Sequence, residues 1–243
     1  MLYWLLPILL QVALVVHVIR TGRNTLWIWL IVFVPLVGAL AYFAVEILPG
    51  IFGSRAARQA ASNFKKTVDP KRDLRQAQRR LEATDSIESR RRLADELVAH
   101  GQYDEAIQHY RSGLTGIYTH EPVLLLGLAT ALFNKGEAAE ARRTLDDLIE
   151  HNPEFKSPDG HLLYARALEG EGNAEKAADE YETVVKYFSG AEARYWYGLF
   201  LKRTGQAPRA RELFEQLLKD AQLATPHYRK TQKSWLDKAK KEM

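Results

Sequence analysis

A chain of 243 residues, 47% of them hydrophobic, has room for one core of ordinary size plus an appendage. It holds no cysteine, which excludes disulfides and thiolate metal sites. The formal net charge of +4 conceals a partition. The first 50 residues carry three charged side chains, Arg20, Arg23 and Glu46. Ile51 to Arg80 holds nine bases against two acids, a net of +7. Leu93 to Thr225 holds 14 bases against 22 acids, a net of −8, and Pro226 onward six bases against two acids, a net of +4. A basic collar, an acidic body and a basic end give no general nucleic-acid footprint.

Leu2 to Ile19 is an apolar run broken only by Gln11 and His17. As a helix it reaches ~27 Å, just short of a ~30 Å hydrocarbon core. Leu26 to Leu48 is a second run and reaches ~34 Å. Arg20 to Thr25 leave room only for a tight turn, and Trp4, Trp27, Trp29 and Tyr42 lie toward the span ends, where amphipathic rings favour headgroups. A cleaved signal peptide fits poorly, because no base precedes the run and no small-x-small site follows it. The sequence therefore predicts a two-helix transmembrane hairpin over residues 1–50. Four bases after it (Arg55, Arg58, Lys65, Lys66) against two in the turn put both termini in the cytoplasm by the positive-inside bias. The same collar can lie against anionic lipid.

Pro35 sits mid-span, and Gly38, Ala41 and Ala44 offer small residues for close helix approach. The stretch Trp29 to Glu46, WLIVFVPLVGALAYFAVE, resembles the N-terminal hairpin of bacterial cardiolipin synthases of the phospholipase D type. That resemblance implies the inner membrane of a bacterium. The family's chemistry needs two copies of His-x-Lys-x4-Asp. None of the seven histidines (His17, His100, His109, His120, His151, His161, His227) has lysine two residues on. The catalytic half is missing, so no catalytic residue is expected.

Residues 51–86 read as a basic juxtamembrane linker containing a helix from Pro70 to Ala83, with Asp69 as its N-cap. Asp85 with Glu88 resembles a capping box opening the next helix.

From residue 87 to 225 the chain repeats. Gly101, Gly136, Gly172 and Gly205 are spaced by 35, 36 and 33 residues. Five residues after each stands alanine: Ala106, Ala141, Ala177 and Ala210. Four further on is Tyr110, Leu145, Tyr181 or Phe214. Seven before each glycine is Ala94, Ala129, Ala165 or Gly198, and four before is Leu97, Leu132, Leu168 or Leu201. Small residues where helices cross, with large ones beside them, describe pairs of antiparallel helices. With Leu93 to Tyr110 (LADELVAHGQYDEAIQHY) as its clearest unit, this pattern resembles the tetratricopeptide repeat, whose period is ~34 residues. The fold class is thus all-α: the hairpin, then an α-solenoid of about four helix pairs. A capping helix over residues 226–243 presents Tyr228, Trp235 and Ala239 on one face.

The resemblance implies binding of a protein or peptide in the groove lined by the first helix of each repeat. By the family's register that groove presents Arg91, Asp95, Thr130, Asn134, Arg166, Glu169, Tyr195, Lys202 and Arg203. Arg91 and Asp95 depart from the lysine and asparagine with which some members clamp a chaperone's terminal carboxylates. Two readings stay open: these residues meet a ligand, or they pair with each other. No phosphate loop occurs. Histidines lie without metal spacing, so neither a cofactor nor a metal is expected. Carboxylate pairs such as Asp146/Asp147 and Asp179/Glu180 read as solvated helix faces. The expected function is a membrane-anchored scaffold; a non-catalytic accessory to phospholipid handling or envelope biosynthesis is the alternative.

Overall fold

The structure, a computed structural model, describes residues 5–20, 26–33, 69 and 71–243. The chain divides into two units, Met1–Arg72 and Asp73–Met243.

In the first unit, α1 (Leu5–Arg20) and α2 (Leu26–Phe33) pack against each other. Val18 and Ile31 are buried between them, flanked by Leu14, Val15, Trp27 and Ile28. The Gln11 side-chain amide donates to the Ile31 carbonyl at 2.9 Å, so the polar group inside the first apolar run has a partner on the second helix. Val12, Ile19, Trp29, Val32 and Phe33 point outward. Among the described residues no helix is long and apolar enough to cross a membrane. The first expected span is seen here as 16 residues, and the second as its first eight. Pro35, Gly38, Ala41, Ala44 and the basic residues Arg55 to Lys66 lie outside the described residues.

The second unit is all-helical among its described residues. It begins with α3 (Arg72–Ala83), followed by α4 (Ile87–Ala99), α5 (Tyr103–Gly113), α6 (Pro122–Lys135) and α7 (Ala138–His151). Next come α8 (Pro158–Gly170), α9 (Ala174–Val184), α10 (Glu192–Arg203) and α11 (Ala207–Leu223). Two short helices, α12 (Pro226–Thr231) and α13 (Lys233–Lys241), close it. Four hairpins, α4–α5, α6–α7, α8–α9 and α10–α11, stack in order, each second helix packing on the next first helix. The first helices α4, α6, α8, α10 and then α13 also touch in sequence, forming one continuous face.

Each hairpin turn is made by the expected glycine. Gly101, Gly136, Gly172 and Gly205 have φ of 74°, 98°, 89° and 79°, a left-handed region that costs other residues energy. The residue after each glycine donates its N–H to the carbonyl five residues before it: Gln102 to Leu97, Glu137 to Leu132, Asn173 to Leu168, Gln206 to Leu201. The glycine N–H reaches the carbonyl three residues back, completing a Schellman motif at every turn. The chain thereby reverses with its last carbonyls satisfied, and the second helix starts at once.

The small-and-large frame fills the core. Ala106, Ala141, Ala177 and Ala210 are fully buried, and so are Tyr110, Leu145, Tyr181 and Phe214. Gly198 shows why the position must be small: a Cβ there would stand 2.4 Å from the Phe214 ring. Gly127 is equally tight, with the Tyr110 ring 2.5 Å from a Cβ.

Three expectations need correction. The helix predicted from Pro70 starts at Arg72, after an Asp69 carbonyl turn accepting from the Arg72 N–H. The next helix is capped by Ser86, whose hydroxyl accepts from the Ser89 N–H, while Asp85 turns away to pair with Arg90. The single capping helix is two, because Gln232 interrupts it and accepts the Ala191 N–H through its side-chain oxygen at 3.0 Å. Trp235, Leu236 and Ala239 of α13 do cover the last repeat, but Tyr228 falls on α12 and lies outside that cluster.

Candidate functional site

The expected groove residues lie on the first helices α4, α6, α8 and α10, and the structure sorts them into paired and unpaired groups. At the start, Arg91 forms ion pairs with Glu88 at 3.0 Å and Asp95 at 2.7 Å. Asp95 also accepts the Tyr110 hydroxyl at 2.5 Å. Hydrogen bonds from Arg91 and Arg92 hold the Glu88 carboxyl at about 2, far below the usual carboxylate range. Arg91 and Asp95 thus neutralise each other, and both are held from within. Thr130 donates back to the Leu126 carbonyl at 2.8 Å, and Asn134 is exposed.

The last repeats tell a similar story at three positions. Glu169 accepts the Tyr181 hydroxyl at 2.9 Å and pairs with Arg203 at 2.5 Å. Lys202 pairs with Glu242 at 2.8 Å and donates to the Glu242 main-chain carbonyl at 3.0 Å. Tyr195 is the clearest departure. Instead of standing open as an aromatic anchor it is 9% exposed, its ring 5.5 Å from Trp235 of the cap and 6.3 Å from Phe214. The cap helix supplies what covers it.

Arg166 differs. Its guanidinium lies 4.6 Å from the Phe133 ring centre and 3.9 Å from that of Trp196. Three successive first helices, α6, α8 and α10, thus meet in one aromatic–cation–aromatic stack. No ion pair to Arg166 occurs among the described residues, and burial pulls its pKa down from the ordinary arginine value. A cleft of about 230 Å³ opens beside it, lined by Leu126, Thr130, Asp159, Leu162, Arg166 and Glu192. An apolar wall next to a desolvated cation suits an apolar side chain with a carboxylate beside it. Phe133 and Trp196 escaped the sequence reading because register alone does not show which aromatic rings flank a cation. The available signal was that Phe133 follows Thr130 by three residues on one helix face.

Two further groupings lie outside the expected groove. A cleft of about 490 Å³ between α7, α8 and α9 is walled by Leu145, Leu148, Phe155, Tyr164 and Tyr187. His161 sits at its edge, with one ring nitrogen 2.5 Å from Glu180 and the other on the Tyr187 hydroxyl. Glu180 is therefore not simply a solvated helix face. The histidines are not all scattered either: His120 and His151 converge on Asp147, at 3.0 and 2.9 Å. Asp147 and His151 share a helix face at i, i+4, which is visible in sequence, but His120 arrives from a connector far away.

Residues 97–167 and residues 162–224 match two family descriptions of the tetratricopeptide repeat. Among solved structures, MamA from Desulfovibrio magneticus RS-1 is 15% identical, with a TM-score of 0.54, covering 67% of this chain and 91% of that one. A thermophilic TPR protein of Thermus thermophilus is 18% identical, with a TM-score of 0.53, covering 67% and 88%. TPR-like repeats of a putative kinesin light chain from Podospora anserina are 20% identical, with a TM-score of 0.51, covering 64% and 85%. At these identities the likeness shows the fold alone. Among curated proteins none matches in sequence.

Proposed function

Since this chain is a tetratricopeptide-repeat protein over residues 97–224, we propose that it is a non-catalytic scaffold holding an acidic peptide segment against the Arg166 stack. The observation that carries this is the contrast within one face. Arg91, Lys202 and Arg203 each have a carboxylate of the same chain in ion-pair contact, whereas Arg166 is desolvated between two aromatic rings and, among the described residues, feels Glu192 and Glu169 only at longer range. A partner carboxylate would supply the missing counter-charge, and an aliphatic residue beside it would enter the Leu126–Leu162 cleft. Asp159 and Glu192 at the rim favour a base flanking that pair in the partner. Thr130 lines the cleft, and Asn134 stands exposed one turn further along α6.

We read residues 1–50 as the anchor that keeps this scaffold at the cytoplasmic face of a bacterial inner membrane, with the basic stretch that follows lying against anionic lipid. Support comes from the apolar side chains that α1 and α2 turn outward and from the four-to-two distribution of bases around the spans.

Selection of peptides from a random library on the full chain in detergent tests the binding reading. Enriched sequences should carry Asp or Glu beside Leu, Ile or Phe. Arg166→Met keeps the stem between the rings and removes the charge; it should weaken the selected peptide by ~10-fold or more and flatten its salt dependence. Equal binding by parent and variant across salt would remove Arg166 from the site.

A further inference from the structure

We propose that His120, Asp147 and His151 form a binding site for a divalent transition metal of the borderline class, with Zn²⁺ its simplest probe. The three side chains place their donor atoms, two imidazole nitrogens and one carboxylate oxygen, within 4.8 Å of one another. That donor set suits zinc, and with no cysteine in the chain no thiolate competes for the ion.

The backbone positions them firmly. Asp147 and His151 stand one turn apart near the end of α7. His120 lies in the connector between the 3₁₀ turn Gly116–Tyr118 and α6, and its own carbonyl accepts from the Asn152 side-chain amide at 2.9 Å. This connector is the irregular stretch that interrupts the repeat frame after α5, and the frame itself gives it no task.

Within the cluster His151 Nδ1 lies 3.1 Å from the Asp147 main-chain carbonyl, whereas His120 Nδ1 has no such contact. His120 Nδ1 is 3.0 Å from Asp147 Oδ1, yet it is buried and has no hydrogen-bond partner. Buried polar atoms are nearly always satisfied, so this one calls for a partner that does not need hydrogen-bond direction from Asp147. Its ring stacks on that of His151 with centres 3.6 Å apart and planes 7° from parallel. A cation between the two nitrogens and the carboxylate would take both imidazoles through their ring lone pairs. Coordination requires the rings to splay from the parallel stack so that both lone pairs meet one ion at ~2.0–2.1 Å. The side chains keep 35–41% of their surface exposed, leaving an outer position for water or a fourth donor. The site is thus of the open three-ligand kind, and binding would pin the connector to the end of α7.

The test uses the untagged full chain in detergent, stripped with chelator and titrated with Zn²⁺ by calorimetry near pH 7.5. One ion per chain with micromolar affinity is expected. His120→Ala, His151→Ala and the shape-conserving Asp147→Asn should each weaken it by ~10-fold or more. His161→Ala, which alters the other histidine–carboxylate pair, should bind as the parent does. On the parent itself, Zn²⁺ should move the imidazole NMR signals of His120 and His151 and leave those of His161 in place. Absence of binding below millimolar Zn²⁺, unchanged affinity in all three cluster variants, or shifts confined to His161 would overturn the site.

Discussion

The N-terminal pair α1–α2 and the repeat unit use apolar side chains in opposite ways. Among the described side chains of the pair, Val18 and Ile31 are buried, while Val12, Val16, Ile19, Trp29, Leu30, Val32 and Phe33 face outward. In the repeat unit the order is reversed. Leucine, alanine and aromatic side chains fill three clusters, and large apolar residues on the surface, such as Ile117 and Leu223, are few for the length of the unit. Scattered exposed apolar residues are normal on a protein surface, whereas a contiguous group of them is less common. Hydrophobic content alone therefore says little. What distinguishes the regions is whether the apolar positions follow a frame that closes on itself.

The largest test of that comparison is to open the closed frame. Phe214 is fully buried against α10, with its ring filling the space that Gly198 leaves. Phe214→Ala should cost about 3–5 kcal/mol in denaturant unfolding of the repeat unit. A loss well below 1 kcal/mol would mean the last repeat is not packed as described. Next in size is overfilling. Ala141 is fully buried at the α6–α7 crossing, and Ala141→Leu should cost about 1–3 kcal/mol. An unchanged unfolding midpoint would break the repeat register.

A smaller effect sharpens the view of the charged face. Tyr181→Phe removes the hydroxyl donated to Glu169, which keeps its pair with Arg203, so about 0.5–1.5 kcal/mol should be lost. The smallest is in the acid limb. Arg91 and Arg92 hold the Glu88 carboxyl at about 2 against an ordinary 4.5. A depressed folded value contributes stability that is present above 4.5 and lost as pH falls toward 2. Glu88 is half exposed, so the contribution is modest. Glu88→Gln should shallow the fall of the melting temperature between pH 4.5 and 2 and leave the slope above pH 5 unchanged.

Much of the closed frame was legible in the chain. Gly101, Gly136, Gly172 and Gly205 announce the turns because few other residues tolerate their φ, and the small and large positions follow from helix crossing. The charged face was less legible, because ion pairs are decided by side-chain reach across helices. Lys202 meets Glu242 forty residues on, and Tyr195 is covered by Trp235, neither of which local periodicity encodes. Gln232 breaks the cap for the same reason, through a bond to Ala191. His120 joins Asp147 and His151 only because the connector after α5 folds back. Local pattern reports the frame, and long-range contact decides the chemistry hung upon it.

The anchor proposed for residues 1–50 would give them a different solvent from the repeat unit. Expressing the full chain and a fragment from Asp69 to Met243, then separating membranes and washing them with alkaline carbonate, tests it most directly. The full chain should remain in the membrane pellet, and the fragment should stay in solution without detergent, with a strongly helical circular dichroism spectrum. A full chain released by carbonate, or a fragment that needs detergent to remain dispersed, would contradict the account.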